Sequence, residues 1–286
     1  MSVVSGPWQP VDERRCELGE GARWLSSGRF VFVDLLAGRL FSTSGEPGAG
    51  AREELALDVP LGAVAEHPDG WIAAAGEGVV VLREGEPIWL ARPAADADVA
   101  MRMNDGVADA RGRFWAGAMP YGGEPGTGFL LRVDPDRSVH RVLDGLTIPN
   151  GPAVTADGSR LFLADTPTGW IRAYEVDPAT GDLGPAQDFA QVEAGGPDGM
   201  VVDAEGCVWS AVWGAAQLRR FGPEGALREV IEVPVRQPTS IALSATGPGR
   251  ILVTSATHGL DDPGELDGCT ITARTEVQGI AAASFG

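Results

Sequence analysis

Positive charge is scarce in this chain of 286 residues, in which 40 acidic residues stand against 22 lysines and arginines. The formal net charge at pH 7 is therefore −18. A field of this sign repels polyanions, which disfavours binding to nucleic acid or to an anionic membrane surface. We therefore expect neither nucleic acid nor a membrane among the partners of this protein.

Cysteine and histidine are also sparse, with three residues of each type. The cysteines are odd in number and lie too far apart for a disulfide framework or a Cys-x-x-Cys zinc motif, so reduced thiols are the simplest interpretation. The histidines share no metal-ligand spacing, and the chain has no Gly-x-Ser-x-Gly nucleophile elbow. We therefore predict neither a catalytic histidine nor a serine hydrolase. These residues are Cys16, Cys207, Cys269, His67, His140 and His258.

Long apolar runs are missing as well. No segment approaches the ~20 apolar residues that a membrane-spanning helix needs. The first ten residues contain no basic region followed by an apolar core, so we expect no signal peptide there. We expect a cytoplasmic protein that is a monomer or a weak homo-oligomer.

The chain does contain a repeated pattern, in which a turn glycine precedes a short apolar run. The six glycines follow one another at intervals of 41 to 48 residues. They are Gly28, Gly70, Gly112, Gly158, Gly206 and Gly247. Four short strands in each unit of this length predict an all-β fold, a six-bladed β-propeller with four-stranded antiparallel blades around a central channel. We expect residues 1–286 to form one domain, with Cys269–Ala273 pairing with the N-terminal segment to close the ring.

Polar residues occupy five of the six positions that lie eight residues before a turn glycine. In sequence order these positions hold Glu20, Gly62, Asn104, Asn150, Asp198 and Thr239. Equivalent positions in a propeller lie on one ring at one end of the channel. Two carboxylates and an amide, from Glu20, Asp198 and Asn150, would converge there as the hard oxygen ligands of a divalent cation.

Asn-Gly and Asp-Gly pairs are also common in ordinary turns, because both residues tolerate positive φ angles. For Asn104, Asn150 or Asp198 taken alone, a turn is the better interpretation. Their shared spacing favours the ring, because a turn needs no fixed offset from the turn of another repeat. Glu20 supports the ring further, since glutamate is not a preferred turn residue.

Four motifs in this order resemble the regucalcin (senescence marker protein)/gluconolactonase/luciferin-regenerating-enzyme-like family. They are Leu18–Trp24, Arg102–Gly106, Pro149–Gly151 and Pro197–Met200. The resemblance runs from about Glu17 to the end of the chain. It implies a six-bladed propeller that holds one divalent metal ion and hydrolyses sugar lactones.

The resemblance also assigns roles to individual residues. It implies that Glu20, Asn150 and Asp198 bind the metal, whether Ca²⁺, Zn²⁺, Mn²⁺ or Mg²⁺, and that Arg102 and Asn104 bind the substrate. Some members use a glutamate in the loop after Gly117, which makes Glu124 a further substrate-binding candidate.

The predicted function is hydrolysis of a sugar lactone, or of a similar small lactone, by metal-activated water. Asp198 is the candidate for the general base that takes the proton of the attacking water. Two alternatives remain open. One is a non-catalytic calcium-binding or ligand-sensing propeller, and the other is a metal-dependent esterase or phosphotriesterase. An arginine beside the ring favours the enzyme, because a site that binds only metal has no need of Arg102.

Overall fold

The computed structural model describes residues 2–83, 86–247 and 249–286. Its β-strands form six separate sheets of four antiparallel strands each, which confirms the predicted six-bladed propeller. The strands of blades 1 to 3 are β2 (Gly19–Trp24), β3 (Phe30–Asp34), β4 (Arg39–Thr43), β5 (Arg52–Ala56), β6 (Leu61–His67), β7 (Gly70–Ala75), β8 (Gly78–Arg83), β9 (Glu86–Ala91), β10 (Met101–Ala108), β11 (Phe114–Pro120), β12 (Gly128–Val133) and β13 (Val139–Leu146).

The strands of blades 4 to 6 are β14 (Pro149–Val154), β15 (Arg160–Asp165), β16 (Trp170–Glu175), β17 (Gln187–Gln191), β18 (Gly196–Val202), β19 (Val208–Trp213), β20 (Gln217–Phe221), β21 (Leu227–Glu232), β22 (Pro238–Leu243), β23 (Arg250–Ser255), β24 (Ile271–Thr275) and β1 (Val4–Pro10). A 3-10 turn at Thr166–Thr168 follows β15. None of the helices in the described part of the chain has the length and apolar composition that crossing a membrane requires.

The sixth blade joins the two ends of the chain. Its order is β22, β23, β24 and β1, so a strand from the N-terminal region forms its outer edge. Val4 pairs with Thr275 and Pro10 pairs with Ile271. The predicted closure is therefore confirmed, although β24 begins at Ile271 rather than at Cys269.

The six turn glycines all adopt positive φ angles, as the repeat requires. The angle lies between +73° and +79° at five of them and is +139° at Gly70. A side chain is disfavoured in this region of conformational space, whereas glycine enters it at little cost. Each glycine therefore sets the tight turn between the first and second strands of its blade.

Two of these turns carry the same aspartate–tryptophan contact. The Trp115 indole N–H donates to Asp109 Oδ2 at 2.9 Å, and the Trp209 indole N–H donates to Asp203 Oδ2 at 2.8 Å. In both turns the other carboxylate oxygen accepts two backbone N–H groups of the turn. Both tryptophans are fully buried. Each therefore packs in the core with its polar atom satisfied.

The C-terminal segment 276–286 crosses the end of the channel at which the innermost strands finish. Its backbone hydrogen-bonds to five blades, through Ala204, Ser244, Trp24, Glu66 and Gly112. Phe285 is 1% exposed and packs in the core of blades 2 and 3. A small, mostly apolar cavity of about 90 Å³ lies beneath Ala281, Ala282 and Ala283. The segment thus covers the channel end opposite the predicted ring.

Candidate active site

The innermost strand of every blade contains a β-bulge at or beside the predicted ring position. The pairing register shifts within Glu20–Arg23, Leu61–Ala63, Met103–Gly106, Asn150–Ala153, Pro197–Met200 and Pro238–Ser240. A bulge bends its strand and redirects a side chain out of the regular alternation. The eight-residue offset seen in the sequence therefore marks a repeated backbone irregularity at the channel mouth.

One cavity of about 360 Å³ opens at this mouth. Five of the predicted site residues line it, namely Glu20, Arg102, Asn104, Asn150 and Asp198. Each of them is no more than 7% exposed. The structure thus brings together side chains that are separated by up to 178 positions in the sequence.

Blade 2 contributes glycine instead of a polar side chain to the ring, for a steric reason. A Cβ atom placed on Gly62 would lie 1.9 Å from the backbone carbonyl oxygen of Asn104. The neighbouring strands β6 and β10 therefore approach too closely at this point for any side chain. The absence of Cβ allows Asn104 to take its place beside the cavity.

The amide side chains of the site belong to one hydrogen-bonded chain. Arg102 Nη1 donates to Asn104 Oδ1 at 2.6 Å, and Asn104 Nδ2 donates to Asn150 Oδ1 at 2.7 Å. Asn150 Nδ2 then donates to Thr166 Oγ1 at 2.9 Å, and the Thr166 hydroxyl donates to the carbonyl of Pro197. This network fixes both amides in orientation. The Asn150 oxygen keeps a second lone pair for a ligand.

The two ring carboxylates have few hydrogen-bond donors. Asp198 Oδ1 accepts the Gly199 N–H at 2.9 Å, and Glu20 Oε2 accepts the Gly21 N–H at 3.3 Å. Burial, reinforced by the charge of Asp105, raises the pKa of Glu20 to about 8. Burial and the charge of Glu20 raise the pKa of Asp198 well above its ordinary value. Two such carboxylates in one buried site are stabilised in their ionised form by a cation.

The donor set suits a hard divalent ion. Across residues 2–83, 86–247 and 249–286, no group of three or more His, Cys, Asp or Glu side chains is arranged to hold a metal. The site offers two carboxylates, and its third oxygen comes from the Asn150 amide. Carboxylate and amide oxygens are the ligands that Ca²⁺ takes, and water completes its coordination shell. The residues present therefore fit a divalent cation.

Arg102 supplies positive charge at the edge of this acidic site. Burial lowers the pKa of its guanidinium, and the charges of Glu20, Tyr121 and Asp198 oppose that effect. The guanidinium carbon lies 6.0 Å from the centre of the Tyr121 ring. Besides its bond to Asn104, Nη1 donates to the carbonyl of Met103, which leaves the Nη2 and Nε hydrogens available to a ligand.

Glu124 and Thr239, which were singled out from the sequence, lie outside the cavity lining of the described chain. The Glu124 carboxylate folds back over its own loop, and a Cβ atom on Gly122 would lie 2.3 Å from Glu124 Oε1. Its predicted substrate contact stays a prediction. Thr239 donates to the carbonyl of Gly19 and bonds Thr254, so it links blades 6 and 1.

Sequence reasoning missed several residues of the mouth. Leu36, Tyr121, Thr166, Trp213 and His258 line the cavity. Each lies at the end of the second strand of its blade or just beyond it. Antiparallel pairing places this point beside the start of the first strand, so the same repeat could have identified them. His258, one of the histidines for which no catalytic role was predicted, is exposed at the cavity rim.

Fold and site together define a six-bladed propeller with carboxylates and amides converging at one channel mouth. Residues 18–257 match the SMP-30/Gluconolactonase/LRE-like region. The chain belongs to this family, as its motifs predicted.

Several relatives of the chain are lactonases. It is 31% identical to the 6-deoxy-6-sulfogluconolactonase of Pseudomonas putida over 284 residues, with 94% of each protein covered. It is 29% identical to the L-arabinolactonase of Azospirillum brasilense, with 96% of this chain and 93% of the relative covered. At the level of the family, these matches support hydrolysis of sugar lactones.

The fold also matches a solved structure described as a calcium-binding protein, regucalcin, from Agrobacterium tumefaciens. The TM-score is 0.88 at 28% identity, with 99% of this chain and 98% of that chain covered.

Proposed function

We propose that this protein is a metal-dependent lactonase, which opens a sugar lactone or a similar small lactone with water. The observation that carries the proposal is the convergence of Glu20, Asn150 and Asp198 in one cavity, which the buried Arg102 also lines. Three buried oxygen ligands beside an arginine suit a neutral substrate that develops negative charge during the reaction. The lactonase names of two relatives point to the same chemistry.

A divalent cation in this site would supply Lewis-acid polarisation of the lactone carbonyl. The chain itself would hold the substrate and move the proton. Asp198 has one oxygen bonded to the Gly199 N–H, and its second oxygen can take the proton of the attacking water. Arg102 would donate its free N–H groups to the substrate and to the carboxylate that forms when the ring opens. Asn104 would fix the orientation of the Arg102 and Asn150 side chains through its hydrogen bonds to both.

A second candidate function is calcium binding without catalysis. The match to a calcium-binding protein of the same fold favours it. The buried arginine favours the enzyme, because a cation site gains nothing from a neighbouring positive charge. Both candidates use the same three oxygen ligands, so metal binding alone does not distinguish them.

The test is a pH-indicator assay of lactone hydrolysis with chelated protein, to which single divalent metals are returned. We expect chelation to abolish hydrolysis and one or more metals to restore it. Circular dichroism should be unchanged by chelation, because the ion would join only residues at the channel mouth. Full activity in the metal-free protein would rule out the proposed mechanism. Stoichiometric metal binding without hydrolysis of any aldonolactone or aliphatic lactone would favour the calcium-binding alternative.

A further inference from the structure

The cavity has a polar floor and an apolar wall. The floor consists of the ring residues and Arg102. Much of the remaining lining is formed by Leu18, Leu36, Met119, Ile148 and Trp213. These apolar residues come from several blades, so they surround the mouth of the cavity. A bound molecule that reaches the floor therefore also contacts hydrocarbon around its periphery.

The polar floor has little hydrogen-bonding capacity left for hydroxyl groups. Both amide hydrogens of Asn104 are used, one by the Pro149 carbonyl and one by Asn150. The Asn150 amide donates to Thr166, and the Thr166 hydroxyl donates to a backbone carbonyl. If Glu20 and Asp198 bind a cation, the floor offers a ligand mainly the free N–H groups of Arg102 and the second amide hydrogen of Asn150.

Among the residues that the structure describes, Tyr121, His258 and the indole N–H of Trp213 are the polar groups of the rim. Tyr121 is 54% exposed, and His258 is exposed beside Glu17. Both are open to water, so a hydroxyl bonded to them gains little over hydration. A polyhydroxylated lactone would therefore place hydroxyl groups against Leu36 or Ile148 without partners, and each such group costs free energy.

We infer that this site selects a lactone with few hydroxyl groups, such as a deoxysugar lactone or an alkyl-substituted lactone, over a fully hydroxylated sugar lactone. The lactone ester would face the ring and Arg102, and the apolar substituent would face Ile148 and Trp213. This inference rests on the proposed function. It adds a substrate class and names the residues that determine specificity.

The test compares two lactones with the same ring size, δ-hexalactone and D-glucono-δ-lactone, using the metal-loaded protein. Each kcat/KM is divided by the rate constant of hydroxide-catalysed hydrolysis, which removes the difference in intrinsic reactivity. We expect the normalised ratio to favour δ-hexalactone by at least about 10-fold, the scale on which a hydrophobic pocket discriminates.

Ile148→Asn places an amide on the half-buried wall and should lower this ratio by about 10-fold. Ile88→Asn makes the same change at an isoleucine that is 44% exposed on blade 2, outside the cavity lining, and should leave the ratio unchanged. Leu36→Asn is a second wall variant if Ile148→Asn does not fold, as judged by thermal melting.

The outcomes separate the two proposals. If the wild type favours gluconolactone, or if the wall variants leave the ratio unchanged, the selectivity inference is wrong and the lactonase proposal stands. If the metal-loaded protein opens neither lactone nor any other, the proposed function fails and the inference fails with it.

Discussion

At the scale of single residues, Asp198 has the most demanding proposed role, because it serves as both ligand and base. Asp198→Asn keeps the size of the side chain and one carbonyl oxygen but removes its charge and basicity. We expect weaker metal binding, and kcat lower by at least ~10²-fold at saturating metal, the scale for losing a positioned base. Titration calorimetry and steady-state kinetics on the same lactone measure both effects. Wild-type kcat in the metal-saturated variant would contradict the assignment of Asp198 as the base.

Substitution of Arg102 should affect substrate binding rather than metal binding, because the proposed partner of Arg102 is the substrate. Arg102→Ala should raise KM by about 10-fold or more, in line with the loss of a hydrogen bond to a charged group. Metal affinity should change little, since the guanidinium is not a ligand. A large loss of metal affinity with an unchanged KM would reverse this assignment.

A buried ion pair lies within the innermost strands near the site. Arg23 Nη2 donates to Asp105 Oδ1 at 3.0 Å and to the carbonyl of Gly106 at 2.8 Å. Both side chains are nearly inaccessible, and Asp105 Oδ2 has no hydrogen-bond partner among the described residues. Removing the arginine would leave an uncompensated buried carboxylate. We expect Arg23→Met to lower the free energy of unfolding by about 3–5 kcal/mol.

Urea unfolding of the metal-free protein measures this change. The matched control is Arg83→Met. It breaks the ion pair between Arg83 and Asp69, in which the arginine side chain is 57% exposed. The control should change stability by about 1 kcal/mol or less. Similar effects in the two variants would show that the Arg23 pair gains nothing from its burial.

At the scale of strands, close contact between neighbouring innermost strands positions the site. Gly62→Ala would place a Cβ atom against the Asn104 carbonyl, so β10 would have to move. We expect a clear loss of kcat/KM, because small displacements of positioning groups are costly in catalysis. Gly184→Ala is the control, since its added Cβ atom would meet nothing closer than 3.5 Å. If Gly62→Ala retained full activity, the innermost strands would tolerate displacement at the site.

The turn of blade 4 predicts a pH dependence of stability. Asp157 accepts hydrogen bonds from the Thr155 hydroxyl and from the Ser159 hydroxyl and N–H, which lower its pKa from 3.8 to about 2. A lowered pKa stabilises the folded state above about pH 4, and this contribution is lost as the pH falls toward 2. Asp157 is exposed, so solvent screening keeps the effect small.

Asp157→Asn should therefore lower the Tm by a few degrees at most at pH 6, and the difference should shrink at pH 3. Thermal melting of both proteins at the two pH values measures it. A difference that grows at the lower pH would show that the carboxylate is not stabilised by this turn.

At the scale of the whole molecule, the features that could be predicted from the sequence are those that recur at the same position in successive blades. The turn glycines and the offset to Glu20, Asn150 and Asp198 were readable because each blade places the same backbone geometry at the same position. Closure of the ring by β1 and β24 followed from the need to remove exposed edges.

Features of single blades were not predictable in this way. The positions that border the mouth follow the repeat, but the residue types of the cavity wall, such as Ile148 and Trp213, differ from blade to blade. The path of segment 276–286 depends on contacts with five blades that lie far from it in sequence. The Arg23–Asp105 pair likewise joins two blades, and no local pattern indicates it.

The central claim is that one divalent ion binds to Glu20, Asn150 and Asp198, and an anomalous difference map from crystals soaked in Mn²⁺ tests it most directly. We predict one strong peak at the channel mouth, with side-chain oxygens of all three residues about 2.0–2.6 Å away, in the range of hard-cation distances. A peak elsewhere with this mouth empty, or the three side chains turned onto different faces, would contradict the account.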